Sequence, residues 1–165
     1  MRNDRAWVVE GLVTGLIGYA TVAAFFMAVD LGGGAGPFHT PAMLGGALFF
    51  GVREMGEVTP GPAPVIAYNG VHLLVSLAIG TGAAWLVFQT ERNRPLWYIV
   101  FFIFLAGFIY SVVVVGVLAA ELTPFLPWSL IVAANLVAGF TAGGYLWWRH
   151  AGLLNRFAED MTGEY

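Results

Sequence analysis

Four long apolar stretches constrain the fold of this chain more than any other feature. They cover residues 11–29, 64–88, 96–120 and 128–148, and none contains Asp, Glu, Lys or Arg. A helix of about 20 apolar residues is long enough to cross the hydrocarbon core of a bilayer. We therefore predict an all-α integral membrane protein, a four-helix bundle whose first span begins near Trp7 and whose other spans match the stretches above.

Composition supports this class. Hydrophobic residues make up 59% of the chain and charged residues only 10%, whereas a soluble domain carries about 25% charged residues. The 165 residues are used almost entirely by the spans and their connections, which predicts a single membrane domain over residues 1–165. With no cysteine, thiolate chemistry and cysteine-based zinc sites are excluded. The net charge of −3 gives no indication of a nucleic-acid partner.

The first apolar stretch has some features of a cleaved signal peptide, since Arg2 and Arg5 precede it. It is longer than the usual apolar region of a signal peptide, contains Glu10 near its start and lacks a clean small-x-small cleavage site before polar sequence. We therefore expect a retained first span.

The arginines predict the topology. Six of the seven lie before span one, between spans two and three or after span four, and only Arg53 lies in the other loops. Positively charged loops stay in the cytoplasm, so both termini and the tail 149–165 should be cytoplasmic. Segments 30–63 and 121–127 should lie outside. The expected location is a bacterial-type inner (plasma) membrane.

The outer segment 30–63 contains a further apolar region, which is too short to cross the membrane. Its part at residues 31–37 is rich in glycine and proline, which leave backbone groups unsatisfied in lipid. A helix is expected from Pro41 to Val52, with Thr40 as its N-cap. Twelve residues rise only about 18 Å, so this helix should lie on the outer surface or re-enter the membrane.

The C-terminal tail predicts an amphipathic surface helix. Apolar residues recur at helical spacing at Leu153, Leu154, Phe157 and Met161, with charged residues on the other faces. Such a pattern is typical of helices that lie in the membrane interface.

Small residues form packing faces on three of the spans, and such faces let helix backbones approach closely. The candidate packing residues are Gly11, Gly15, Gly80, Ala84, Ala138, Gly139, Ala142 and Gly143. One interpretation is that they only hold this bundle together. The other is that four helices need fewer of them, and that the surplus contacts other membrane subunits.

Five polar side chains share one depth in the outer half of the predicted bundle: His72, Asn69, Asn135, Tyr110 and Ser111. Asn69 and His72 lie three residues apart and therefore on one helix face. An ionisable residue within a span is a functional candidate. His72 is expected to bond a neighbour in this layer, or to bind a quinone, a tetrapyrrole pigment or a lipid.

A bis-histidine heme is disfavoured, because no second histidine lies within a span. His39 belongs to the outer segment and His150 to the inner boundary. The acidic residues Glu10, Asp30 and Glu121 fall at span ends, where solvated charges are expected. No catalytic or metal-binding motif occurs along the chain.

The sequence therefore favours a non-catalytic accessory or stabilising subunit of a larger inner-membrane complex, respiratory or photosynthetic in kind. Small size, missing catalytic motifs and surplus packing faces support it. Two alternatives remain open: a binder of a quinone, tetrapyrrole or lipid through His72, Asn69 and Asn135, and a small oligomeric channel or carrier.

Overall fold

The computed structural model describes residues 6–52, 61–92, 102–103, 106–107, 109–110, 113 and 126–152. Four helices can be bounded within these ranges: α1 (Ala6–Gly32), α2 (His39–Phe49), α3 (Pro62–Arg92) and α4 (Trp128–Arg149). The described part of the chain is all-helical and contains no strand.

Three of these helices are long and apolar enough to cross a membrane: α1, the Pro62–Thr90 part of α3, and α4. The 27 residues of α1 rise about 40 Å, more than the hydrocarbon core of about 30 Å. Only 17% of its most apolar stretch is buried inside the protein, which leaves the rest to contact lipid. The predicted helical character is thus confirmed for three of the four spans, and each of the three could cross a membrane.

Helix α1 runs antiparallel to α3. A Cβ atom built on Gly11 would lie 2.5 Å from the Cα atom of Thr81, and one built on Gly15 would lie 2.6 Å from the Cα atom of Leu77. Later residues of α1 therefore lie opposite earlier residues of α3, as in any antiparallel pair. The glycines allow this approach, because any side chain at these positions would collide with the α3 backbone.

Helix α4 also runs antiparallel to α1. Glu10 contacts His150 near one end of the pair, and the Thr21 and Thr141 hydroxyls lie 3.0 Å apart further along. Helices α3 and α4 are therefore parallel, so that α3 ends at the opposite end of the bundle from where α4 begins. The predicted span at 96–120 belongs to the chain between these two helices. Most of that span lies outside the described residues.

Two apolar clusters mark the two ends of the bundle. One gathers buried side chains from the C-terminal end of α1, from α2 and from the start of α4: Phe26, Met43, Leu44, Leu126, Ile131 and Ala134. The other joins Ala83 and Ala84 of α3 to Leu146 of α4. The second cluster confirms that the C-terminal ends of α3 and α4 lie side by side.

The outer segment contains a helix, but its start differs from the predicted one. Helix α2 begins at His39 and ends at Phe49, and its N-cap residue is Phe38, which makes no side-chain capping bond. The prediction of Thr40 as the N-cap was therefore wrong. At 11 residues, α2 rises only about 16 Å, too short to cross a bilayer.

Close packing holds α2 against α3. A Cβ atom on Gly45 would collide with the carbonyl oxygen of Pro64. The turn between α1 and α2 uses Gly34 at a φ of +78°, a left-handed conformation that glycine adopts without steric cost. Helix α2 is therefore a packed part of the bundle. The amphipathic tail predicted after residue 152 lies outside the described residues.

The helix directions lead to a labelling prediction. Gly33 follows α1 and Gly152 follows α4, and because these helices are antiparallel, the two glycines lie at opposite ends of the bundle. In this cysteine-free chain, Gly33→Cys and Gly152→Cys should react with a membrane-impermeant maleimide from opposite sides of the membrane. Intact cells should label Gly33→Cys, and Gly152→Cys should label only after lysis. Labelling of both from one side would contradict this arrangement.

Candidate functional site

His72 of α3 lies between two tyrosines near the middle of the bundle. Its ring centroid is 5.3 Å from that of Tyr19 on α1, with a tilt of 56° between the ring planes. The ring of Tyr68, one helical turn away, lies at 5.7 Å with a tilt of 37°. The three rings form a continuous aromatic surface, and each is partly buried. We call Tyr19, Tyr68, Asn69 and His72 the aromatic site.

Asn69 is fixed within this site by two hydrogen bonds. Tyr19 donates its hydroxyl hydrogen to Asn69 Oδ1 at 3.0 Å, and Asn69 Nδ2 donates to the carbonyl oxygen of Val65 at 2.9 Å. Both ends of the amide therefore have partners. The bond to Tyr19 joins α1 and α3 in the middle of an apolar bundle, where a polar contact adds specificity to helix packing.

The His72 ring makes contacts but no hydrogen bond within the described part of the chain. Its neighbours there are the two tyrosine rings. A neutral imidazole carries one N–H donor and one acceptor nitrogen. Because both remain available among the described residues, the ring can still recognise a ligand that offers an acceptor or a donor.

The predicted five-residue layer is only partly assembled by the described contacts. Asn69 and His72 both contact Tyr19, whereas Asn135 donates to the carbonyl oxygen of Ile131 on its own helix at 2.8 Å. Tyr110 is 70% exposed, so it does not close the site, and Ser111 lies outside the described residues. The structure instead adds Tyr19, which the sequence analysis missed.

The aromatic site lies deep in the membrane-spanning part of the bundle. Tyr19 is the central residue of the 27-residue helix α1, so about 20 Å of helix extends on either side of it. Tyr19 is the only tyrosine in α1, but matching it to Asn69 requires the register of α1 against α3, which comes from the structure.

A second polar cluster lies at the other end of α1, where it meets α4. Glu10 Oε2 is 2.9 Å from His150 Nε2, and Glu10 Oε1 accepts a hydrogen bond from Arg149 Nη2 at 3.1 Å. The Glu10 side chain is 6% exposed and the His150 side chain 3%. The prediction that Glu10 would be a solvated charge at a span end was wrong, because α4 ends beside it and supplies basic partners.

Asp30, at the opposite end of α1, was also predicted to be a solvated charge, and this prediction was wrong as well. It is only 5% exposed, and its carboxylate accepts a bond from the Thr40 backbone N–H at 2.8 Å and from the Thr40 hydroxyl at 2.6 Å. A carboxylate at a helix N-terminus satisfies free N–H groups and interacts favourably with the helix dipole. Asp30 thus provides the side-chain acceptor at the N-terminus of α2 that the N-cap residue Phe38 lacks.

We expect Asp30→Ala to release α2 while leaving α1, α3 and α4 in place. The change leaves a buried N–H and hydroxyl of Thr40 without their acceptor, which costs about 1–3 kcal/mol for each unsatisfied group. Hydrogen exchange should show faster exchange in His39–Phe49 and little change in α3. Asp30→Asn retains an acceptor oxygen and should give a smaller effect. Unchanged protection of α2 in Asp30→Ala would contradict this role.

A shallow apolar groove of about 630 Å³ opens between the start of α1 and the middle of α3. Its lining residues are Trp7, Leu77, Ala78, Thr81, Gly82 and Trp85. The Thr81 hydroxyl donates to the Leu77 carbonyl oxygen, and the other lining side chains are apolar except for the indole N–H groups of Trp7 and Trp85. Its chemistry suits a lipid acyl chain.

The described residues contain no group of three His, Cys, Asp or Glu side chains that could hold a metal ion. Comparison of the chain with protein-family models, with curated proteins and with solved structures found no match.

Proposed function

We propose that this chain is a non-catalytic accessory subunit that stabilises a larger membrane assembly. The observation that carries the proposal is the glycine face of α4, which we define as Gly139, Gly143 and Gly144. All three are exposed, and a Cβ atom added to any of them would meet no atom of the described residues within 4 Å. Large apolar side chains border this face, with Phe140 78% exposed and Trp147 64% exposed.

The exposed glycines of α4 differ from three glycines of α1 and α3, which are packed inside the bundle. Gly11, Gly15 and Gly80 are all used within the bundle, where added Cβ atoms would collide with the facing backbone. Ala142 also faces inward, because its Cβ atom lies 4.0 Å from the Cβ position of Gly18. Glycine lowers helix propensity and has no side chain to pack, so it is favourable in a span mainly where a neighbouring helix approaches closely. A partner helix on the glycine face would provide that approach.

The arginine distribution favours an inner membrane with both termini in the cytoplasm. Respiratory and photosynthetic complexes are the class of assembly that we propose for this subunit. The proposal includes no catalysis by the chain itself, and it assigns electron transport, where it occurs, to the partner subunits.

Co-purification tests the proposal. The tagged chain, extracted from its native membrane with a mild detergent, should carry other membrane subunits at stoichiometric level. Gly143→Leu should eject it from that assembly, because a leucine on the glycine face blocks close helix approach. The variant should still insert and fold, since open space surrounds Gly143. A chain that migrates alone, or only with copies of itself, would contradict the accessory role.

A second candidate function, the binding of a lipophilic ligand, is favoured by the aromatic site. Its supporting observation is the His72 ring, held between Tyr19 and Tyr68 and making no hydrogen bond in the described part of the chain. Quinones, tetrapyrroles and lipids are the ligand classes to be compared. The two functions are compatible, because the aromatic site involves α1 and α3 whereas the glycine face belongs to α4.

A further inference from the structure

We propose that the aromatic site binds the headgroup of a quinone, a planar ring with two carbonyl groups that dissolves in hydrocarbon. This inference rests on the second candidate function and names its ligand class. Three features of the site lead to it: the chemistry of the polar groups that make no hydrogen bond with the described residues, the depth of the site, and the arrangement of the rings.

The polar groups suit a carbonyl oxygen. The His72 N–H can donate to it, and no described residue competes for that donor. The Tyr68 hydroxyl also makes no hydrogen bond with the described residues, so it provides a second donor on the same helix face, four positions earlier. Asn69 and the Tyr19 hydroxyl are already bonded to each other and serve to fix the position of the Tyr19 ring.

The depth argues against a phospholipid headgroup. Tyr19 is the central residue of α1, so the site lies near the middle of a hydrocarbon core that is about 30 Å thick. Charged phosphate groups stay in the interface, because moving an ion into such a medium carries a large desolvation cost. An uncharged ring with carbonyl groups carries no such cost and can reach this depth.

The ring arrangement argues against a tetrapyrrole. A macrocycle bound through its metal to one imidazole nitrogen would have to extend over the side chains beside that ring. Two rings already lie close to His72, those of Tyr19 and Tyr68, with centroids 5.3 and 5.7 Å from that of His72. A single six-membered ring needs far less room and can stack on a tyrosine face in the offset manner that aromatic pairs prefer.

The experiment uses the full chain in nanodiscs and two probes with the same tail, decylubiquinone and decylbenzene. Decylubiquinone should raise the melting temperature further as its concentration increases, because a ligand that binds only the folded state stabilises it. Decylbenzene, which lacks carbonyl groups, should not. His72→Phe keeps an aromatic ring between the tyrosines but removes the donor, and should weaken decylubiquinone binding about tenfold.

Two further variants complete the design. Tyr68→Phe removes only a hydroxyl and should also weaken binding, which keeps the test valid if His72→Phe does not fold. Tyr110→Phe makes the same chemical change at an exposed position and should leave binding unchanged.

Equal binding of the two probes, or binding that neither His72→Phe nor Tyr68→Phe weakens, would overturn the quinone assignment. If the chain instead retains from its native membrane a different lipophilic molecule that His72→Phe loses, the quinone assignment fails while the ligand-binding function stands. If neither probe binds and the chain retains no lipophilic molecule from its native membrane, both the quinone assignment and the ligand-binding function fail.

Discussion

Replacement of Glu10 by alanine is expected to lower the free energy of unfolding in detergent by about 3 kcal/mol, the lower end of the range for breaking a buried ion pair. Glu10 is the shared partner of Arg149 and His150, and its loss leaves the nearly buried His150 ring without this acceptor. We choose the lower end because the Arg149 side chain is 46% exposed and can turn towards water. Reversible unfolding followed by circular dichroism would measure the change.

Two control variants separate charge from packing in this experiment. Glu10→Gln keeps the size and one acceptor oxygen of the side chain and should cost clearly less than Glu10→Ala. Val9→Ala changes the adjacent residue, whose side chain is 63% exposed, and should change stability by less than about 0.5 kcal/mol. If Glu10→Ala unfolds like the wild type, the cluster of Glu10 with Arg149 and His150 contributes nothing to the pairing of α1 with α4.

Burial of Glu10 and Asp30 explains why sequence alone misjudged both residues. Each is a single acidic residue at the end of an apolar stretch, and a solvated charge is the usual state at such a position. Their partners are distant in sequence: His150 is 140 positions from Glu10, and Thr40 is 10 from Asp30. Only the antiparallel pairing of α1 with α4 and the folding back of α2 bring these groups together.

The spans were easier to predict than the site, because a span is encoded locally. A run of about 20 apolar residues predicts a span without any information about the helices that pack against it. Helices α1, α3 and α4 lie where such runs occur in the sequence. The aromatic site depends on which faces of two helices meet. Asn69 and His72 could be placed on one helix face by their spacing. Placing Tyr19 beside them requires the register of α1 against α3, which cannot be derived from the sequence.

That register is set by glycine, and the same residue type shows two different behaviours in this chain. Gly15 lies against the α3 backbone, whereas Gly143 lies in open space. The sequence pattern cannot distinguish them, because both belong to runs of small residues at helical spacing. A substitution at Gly15 therefore measures how much the close approach of α1 to α3 contributes to stability.

Gly15→Ala is expected to separate α1 from α3 and to lower the free energy of unfolding by about 3 kcal/mol, the upper end of the usual cost of overpacking. Its new Cβ atom would lie 2.5 Å from the Ser76 carbonyl oxygen and 2.6 Å from the Leu77 Cα atom. Both are backbone atoms, so no side-chain rotation can relieve the contact. The helices must move apart, which would also break the Tyr19–Asn69 hydrogen bond and weaken any quinone binding.

Gly18→Ala provides the matched control on the same helix. Its added methyl would lie 4.0 Å from the Ala142 Cβ atom, an ordinary van der Waals contact, and alanine favours the helix by about 1 kcal/mol over glycine. This variant should therefore unfold at or above the wild-type midpoint, while Gly15→Ala unfolds well below it. If both variants behave alike, the α1–α3 contact does not depend on glycine at position 15. The antiparallel register that places Tyr19 beside His72 would then have to be set by other contacts.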